Sequence, residues 1–416
     1  MEHIVTSHVM RHADKYNILY KNQHGFRSKL SCETQLIEFI DDVINNMNSK
    51  SQTDVLIMDF SKAFDKVGHE RLLLKLHRYG IKDSLNMWIG AFLHGRTQQV
   101  VLEGEYSYVG DVISGVPQGS VLGPCLFLFF INDMADNIKS PLRLFADDTI
   151  AYLAIKSEED SKKLQNDLDR LGKWEKLWQM EFHPEKCQVL RITRNRKNIV
   201  RANYHLHGHK LELVDKAKYL GITITSDLRW NDHINLITNR ANSSLAFIKR
   251  NIRIPCPRIK AIAYKSLVRP HVEYASTVWD PFTAKNIDKI EAIQTRAARW
   301  ALNKYRYGPN TTPVNQMISE LEWPSLCTRR KENRLTCLYK IKKGIVRISP
   351  PPYIQPPTHQ HNTRNKKAHT IAIPDSLTNY HQNSFFPRTV RDWNQLSPSI
   401  TEAPSLEIFK SKLHKQ

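Results

Sequence analysis

Apolar positions in the first 230 residues switch repeatedly between helical and strand-like spacing, the pattern of an α+β chain. Ser31 is a good helix cap, and Leu36, Ile37, Ile40, Val43, Ile44 and Met47 then recur on one helical face. The run Val55-Leu56-Ile57-Met58 is short and uninterrupted, as in a strand buried on both sides, and it ends at Asp59. A helical pattern continues through Leu72, Leu73 and Leu76, and strand-like stretches surround residues 98–102 and 108–113. A helix is predicted from about Ser120 to Ile131, with Pro124 near its first turn. Residues 142–153 place two β-prone arms around Asp147-Asp148, which reads as a hairpin. Leu164, Leu168, Leu171, Trp174 and Trp178 mark one face of a long amphipathic helix. The stretch from Lys218 to Ile224 reads as one further strand.

From Asp232 to Lys304 the pattern is helical and basic, and Trp279, Trp300 and Trp323 are expected in the core. Ser349-Pro350-Pro351-Pro352 through Pro356-Pro357 forms a stiff linker candidate. Beyond it, Phe385, Phe386 and Trp393 stand among basic residues, as in a small packed or binding segment.

Charge changes this picture more than overall composition does. The 416 residues carry a net charge of +20, which fits a polyanionic partner. Residues 1–150 hold 15 Lys and Arg against 18 Asp and Glu, while the remainder holds 46 against 23. An acidic front beside a basic back fits a metal-binding centre next to a phosphate-binding surface. The six cysteines form no C-x2-C pair, which argues against a zinc ribbon or knuckle. No apolar run is long enough to span a bilayer and the first ten residues show no signal peptide, so an intracellular protein is expected.

Nucleotidyl transfer uses divalent cations held by carboxylates at a strand end and a nearby hairpin. Asp59 stands at such a strand end and Asp147-Asp148 at such a hairpin. An Asp-Asp pair alone is usually a surface turn; the ordered series of motifs around these residues gives the set its weight.

Five blocks carry a resemblance to the reverse transcriptases of non-LTR retrotransposons. Gln23-His24-Gly25-Phe26-Arg27 looks like the family's fingers block, and Asp59-Phe60-Ser61-Lys62-Ala63-Phe64-Asp65 looks like its first palm motif. Gly115-Val116-Pro117-Gln118-Gly119-Ser120 with Leu122-Gly123-Pro124 looks like the second. Phe145-Ala146-Asp147-Asp148 resembles the catalytic hairpin and Tyr219-Leu220-Gly221 the primer-grip strand. The resemblance covers roughly Asn17 to Lys304. The tail, with Ser384-Phe385-Phe386-Pro387-Arg388 and Arg391-Asp392-Trp393-Asn394, is similar to the chicken-repeat and jockey-like branch.

This resemblance implies a right-hand polymerase. Partial fingers would span 1–50, an antiparallel-sheet palm flanked by helices 51–230, a basic helical thumb 231–348, and a linker with a C-terminal segment 349–416. It implies an RNA-directed DNA polymerase using an RNA template, a DNA primer, dNTPs and two Mg²⁺ ions, with Mn²⁺ as a substitute, in the nucleus and cytoplasm. Asp59 and Asp147 would bind the metals, with Asp148 secondary. Phe64 would be the steric gate against a 2′-hydroxyl. Lys62 and Ala63 would offer backbone N–H groups to the triphosphate, Gln118 and Gly119 would lie beside the incoming base, and Arg27 near phosphates. Lys186 would protonate pyrophosphate, although the family often has Asn where His183 stands. Arg240, Lys249, Arg250, Arg253, Arg258 and Lys260 would contact the nucleic-acid backbone.

The family's upstream endonuclease and an earlier Arg-Pro-Ile fingers motif do not precede these blocks, so an N-terminally truncated element is expected. The alternative is a catalytically impaired remnant that still binds nucleic acid. A metal-dependent phosphohydrolase is a further reading, but it gives Phe64 and the 115–120 block no role.

Overall fold

A computed structural model describes residues 1–195, 197–305, 312–355 and 370–415. Pro356-Pro357, the far end of the linker candidate, lies outside them. The chain mixes helix and sheet and divides into two compact units, Met1–Gln35 with Lys50–Ala217, and Leu36–Ser49 with Lys218–Gln416. Among the described residues no helix is long and apolar enough to cross a membrane.

The first unit is built on a five-stranded sheet. Its strands are β1 (Gln52–Met58), β2 (Leu142–Phe145), β3 (Asp148–Ile155), β4 (Gln188–Ile192) and β5 (Glu212–Val214), in the spatial order β5-β4-β1-β3-β2. The neighbours are antiparallel except β4 and β5. Central β1 is buried at every position but Ile57, which is why its sequence is an unbroken apolar run from Val55. Asp54, just before that run, is fully buried. It is held by Arg191 Nε at 3.0 Å and by the Tyr204 hydroxyl at 2.9 Å.

Helices α1 (Glu2–Lys15), α3 (His69–Arg78), α4 (Asp83–Leu93), α5 (Leu122–Ile131) and α6 (Glu158–Trp178) belong to this unit, while α2 (Cys32–Asn48) lies mostly in the second. Ser31 does cap α2, its hydroxyl accepting from Thr34 N at 3.2 Å. Apart from Pro124, every residue of α5 is buried, as expected of a helix apolar all round. A capping box of Ser157 and Asp160 starts α6, whose buried stripe is Leu164, Leu168, Leu171, Trp174 and Trp178. Lys75 of α3 is buried, its ammonium 2.5 Å from Asp133 Oδ1 and 3.5 Å from the centre of the Trp178 ring. Burial pushes its pKa down to about 8.

The stretches around 98–102 and 108–113 form short, exposed two-residue ribbons rather than buried strands. The stretch from Lys218 to Ile224 is not one strand either. Strand β6 (Lys216–Tyr219) ends there and β7 (Ile222–Thr225) returns, with Leu220 at φ 43° and Gly221 at φ 82°. Two successive positive φ values make the tight hairpin turn that favours glycine.

The second unit is largely helical: α7 (Asn231–Asn251), α8 (Pro257–Leu267), α9 (Ala284–Ala301), α10 (Leu326–Lys342), α11 (Phe385–Asn394) and α12 (Leu406–His414). Trp279, Trp300 and Trp323 are buried, as are Phe385, Phe386 and Trp393 of the tail. Asp280 organises this core. Its carboxylate takes Arg330 Nε at 2.7 Å, Arg334 Nε at 2.9 Å and Arg388 Nη1 at 3.3 Å. The tail also reaches the early residues of this unit. Tyr353 donates to Asp41, and Leu377 N donates to Asn48 Oδ1 at 3.0 Å.

Candidate active site

Asp59, Asp147 and Asp148 gather at one end of the sheet because of its register. Met58 pairs with Thr149, which brings Asp59, the residue after β1, to the same sheet end as Asp148, the first residue of β3. Phe145 pairs with Asp148, which makes Ala146-Asp147 the two-residue turn of the hairpin. Asp147 is half-buried, and its pKa is raised first by burial and further by the nearby Asp59 carboxylate. Asp148 is exposed.

The segment after β1 is fastened on two sides. His183 N donates to Asp59 O at 2.8 Å and Ser61 N to Glu181 O at 2.8 Å, while Lys66 pairs with Glu181. The same loop brings Lys186 Nζ to 3.6 Å from Asp59 Oδ2. On the other side, Phe64 stacks on Phe127 of α5 with ring centres 4.2 Å apart, and Phe26 meets its edge at 6.4 Å. Val116 N donates to Phe64 O at 2.9 Å, and Gln118 Nε2 to Asp65 Oδ1 at 2.9 Å. Gly115, at φ 92°, lies so close that a Cβ there would sit 2.9 Å from Asp65 Cα. Lys62, Asp65, Gln118 and Arg96 line one open cavity beside this contact. The first and second motifs thus form one wall, with Lys62, Gln118 and Gly119 exposed and Ala63 buried. No spacing rule in the sequence announces the Asp65–Gln118 bond.

The Gln23–Arg27 block runs beside β2. His24 N donates to Leu144 O at 2.9 Å, and Leu144 N to Asn22 O at 3.0 Å. Arg27 Nη1 donates to Tyr20 O at 3.0 Å and Nη2 lies 3.7 Å from Asp14. Its side chain is 11% exposed, with contacts to its own chain at both Nη atoms.

In the second unit, Tyr219 is buried with its ring edge-on to Phe39 at 5.8 Å, and the Tyr274 hydroxyl donates to Leu220 O at 3.0 Å. Arg240, Arg250, Arg253 and Arg258 are exposed, and Lys249 is half-buried. Lys260 is not a surface cation. It is buried, donating to Trp300 O at 3.1 Å, because its position on α8 faces α9.

The donor set fits a hard divalent cation. It consists of carboxylate oxygens, two of them close enough for one to raise the other's pKa, a repulsion that a cation relieves. Among the described residues no group of three or more His, Cys, Asp or Glu side chains is arranged to hold a metal ion. Mg²⁺ does not need one, since waters and substrate phosphates supply its remaining ligands.

Residues 1–224 match the family described as reverse transcriptase (RNA-dependent DNA polymerase). The chain belongs to the reverse transcriptase family. Among curated reverse transcriptases it is 29% identical over 300 residues to the probable RNA-directed DNA polymerase from transposon BS of Drosophila melanogaster, covering 68% of this chain and 32% of that one. It is 29% identical over 314 residues to the RNA-directed DNA polymerase from mobile element jockey of the same species, covering 72% and 34%. These are non-LTR retrotransposon reverse transcriptases, and the chain spans about a third of their length. Apo telomerase from Candida tropicalis is a distant structural likeness, with a TM-score of 0.44 and 10% identity over 73% of this chain and 50% of that one.

Proposed function

We propose that this chain is the polymerase part of a non-LTR retrotransposon reverse transcriptase, extending a DNA primer on an RNA template. The observation that carries the reading is the pairing of Asp59 with Asp147 at the sheet end beside Phe64 and the Gly115–Gln118 wall. In right-hand terms, residues 51–230 are the palm, 1–50 partial fingers, 231–348 the thumb and 349–416 the C-terminal segment. Asp59 and Asp147 would hold Mg²⁺ or Mn²⁺, with Asp148 as the secondary carboxylate. When bound, these cations activate the primer 3′-hydroxyl and neutralise charge on the pyrophosphate.

The chain's own residues do the rest. The ring of Phe64, held flat against Phe127, fills the space a ribonucleotide's 2′-hydroxyl would need. Lys62 and Ala63 present backbone N–H groups to the triphosphate, and Gln118 and Gly119 lie along the incoming base. Lys186 holds a proton at Nζ for the departing pyrophosphate, and its closeness to Asp59 supports that role. The hairpin of Tyr219, Leu220 and Gly221 steadies the primer. Exposed Arg240, Arg250, Arg253 and Arg258, with Lys249, contact the nucleic-acid backbone.

The test is primer extension on an RNA template with dNTPs and Mg²⁺. Incorporation by the chain, lost in an Asp147→Ala, Asp148→Ala double variant, is expected. Salt-sensitive binding of primer–template without incorporation would overturn the reading in favour of a non-catalytic remnant.

A further inference from the structure

The turn that carries Asp147 uses a residue that does not suit it. Ala146 opens the two-residue hairpin turn at φ 54°, a left-handed conformation that costs a residue with a Cβ and is ordinarily left to glycine. Ala146 N donates to Gln23 Oε1 at 2.9 Å, and Gly25 N donates to the same oxygen at 2.8 Å. Both partners are N–H groups, so the atom between them must be the amide oxygen. The Gln23 side chain is buried, and its Nε2 has no partner. A buried amide with an unpaired N–H is a net cost, and here it is retained beside an oxygen that serves two donors. Gly25 completes the clamp, since a Cβ there would sit 2.4 Å from Ala146 N.

We propose that Gln23 is a positioning residue. By holding Ala146 in the left-handed conformation, its Oε1 fixes where the Asp147 carboxylate stands relative to Asp59. The catalytic half of this proposal rests on the polymerase reading above; the conformational half does not.

The experiment has two arms on the full chain. In the first, amide hydrogen exchange is followed in Gln23→Met, which keeps the volume and removes the acceptor. Exchange at Ala146 and Gly25 should accelerate about tenfold, as loss of roughly 1.4 kcal/mol of local protection implies, with the rest of β2 and β3 unchanged. Gln23→Glu, which retains an acceptor oxygen at the same reach, should keep Ala146 protected. Unchanged exchange in Gln23→Met, or lost protection in Gln23→Glu, overturns the proposal.

In the second arm, Gln23→Met should lower kcat for primer extension by about a hundredfold, with KM for dNTP and primer–template affinity within about twofold. Adding Ala146→Gly should recover about tenfold, because glycine takes the left-handed turn unaided. A kcat loss that Ala146→Gly does not relieve marks Gln23 as packing only and overturns the proposal. If the unaltered chain extends no primer, the polymerase reading fails and the exchange arm still decides the clamp.

Discussion

Asp147 in the first unit and Asp280 in the second sit in opposite surroundings, whereas Asp54 of the first unit is paired with Arg191 much as Asp280 is paired in the second. At the sheet end of the first, Asp147 is half-buried with a raised pKa beside Asp59, and the nearest cation to Asp59 is the exposed Lys186 at 3.6 Å. In the second, Asp280 takes Arg330, Arg334 and Arg388, and Asp392 shares Arg334 at 2.9 Å. The first arrangement is unfavourable until something positive arrives, which is how a site for ligands looks. The second already holds its cations within the fold and does structural work. Burial alone therefore does not mark a functional acid; an uncompensated negative charge does.

The largest expected effect separates these roles. Asp147→Asn should reduce incorporation about a thousandfold, the scale of several kcal/mol of lost transition-state stabilisation, while leaving the melting temperature unchanged or raised. Asp280→Asn should do the reverse. Removing one partner of a fully buried ion pair costs about 3–5 kcal/mol, to be measured by denaturant unfolding. An Asp280 variant that unfolds like the unaltered chain would end the contrast.

Phe64→Val sharpens the chemistry of the first unit. Ribonucleotide incorporation should rise about tenfold or more relative to deoxynucleotide, on the scale of selectivity that small changes in pocket shape produce. A ratio that does not move would remove Phe64 from the gate.

Acid should weaken both units, since each buries a neutral histidine. Burial, with smaller contributions from Arg143 and Arg27, pushes His24 down to about 3; burial, then Arg240, pushes His233 down to about 4. A lowered folded pKa means that the unfolded chain binds the proton more readily. Stability from these groups is therefore full above pH ~6.5 and falls as pH drops toward 4 and 3. His233→Gln should flatten that slope for the second unit alone, as read by urea unfolding at pH 7 and pH 5.

The smallest effect concerns the basic helices. Arg258→Gln should reduce the salt dependence of primer–template binding by about one counterion, whereas Lys260→Gln should leave it unchanged. Equal effects would show that burial of Lys260 does not matter to binding.

The sequence revealed these regions unevenly. The unbroken run from Val55, the stripe on α6 and the Asp147 hairpin were legible because each repeats over several residues or ends abruptly in a polar one. The hairpin turn at Leu220-Gly221 was hidden inside an apolar stretch, with a single glycine to signal it. Burial of Lys260 was illegible for another reason: a cation's sequence neighbours do not say which face of the fold it meets. Asp280 and its three arginines come from three separate stretches, Arg330 and Arg334 sharing α10, so no local pattern could connect the acid to them.

The make-up of the second unit bears on how the protein is made. Leu36–Ser49 groups with residues from Lys218 onward, and Asp280 awaits Arg388. At roughly 5–20 residues per second, a ribosome needs on the order of half a minute to travel from the first segment to the last. For part of that interval the apolar face of Ile37, Ile40 and Ile44 lacks Val278, and until its end it lacks Phe385. The interior of one unit is thus exposed as nascent chain while the other can already close, and chaperone occupancy should concentrate on that early helix.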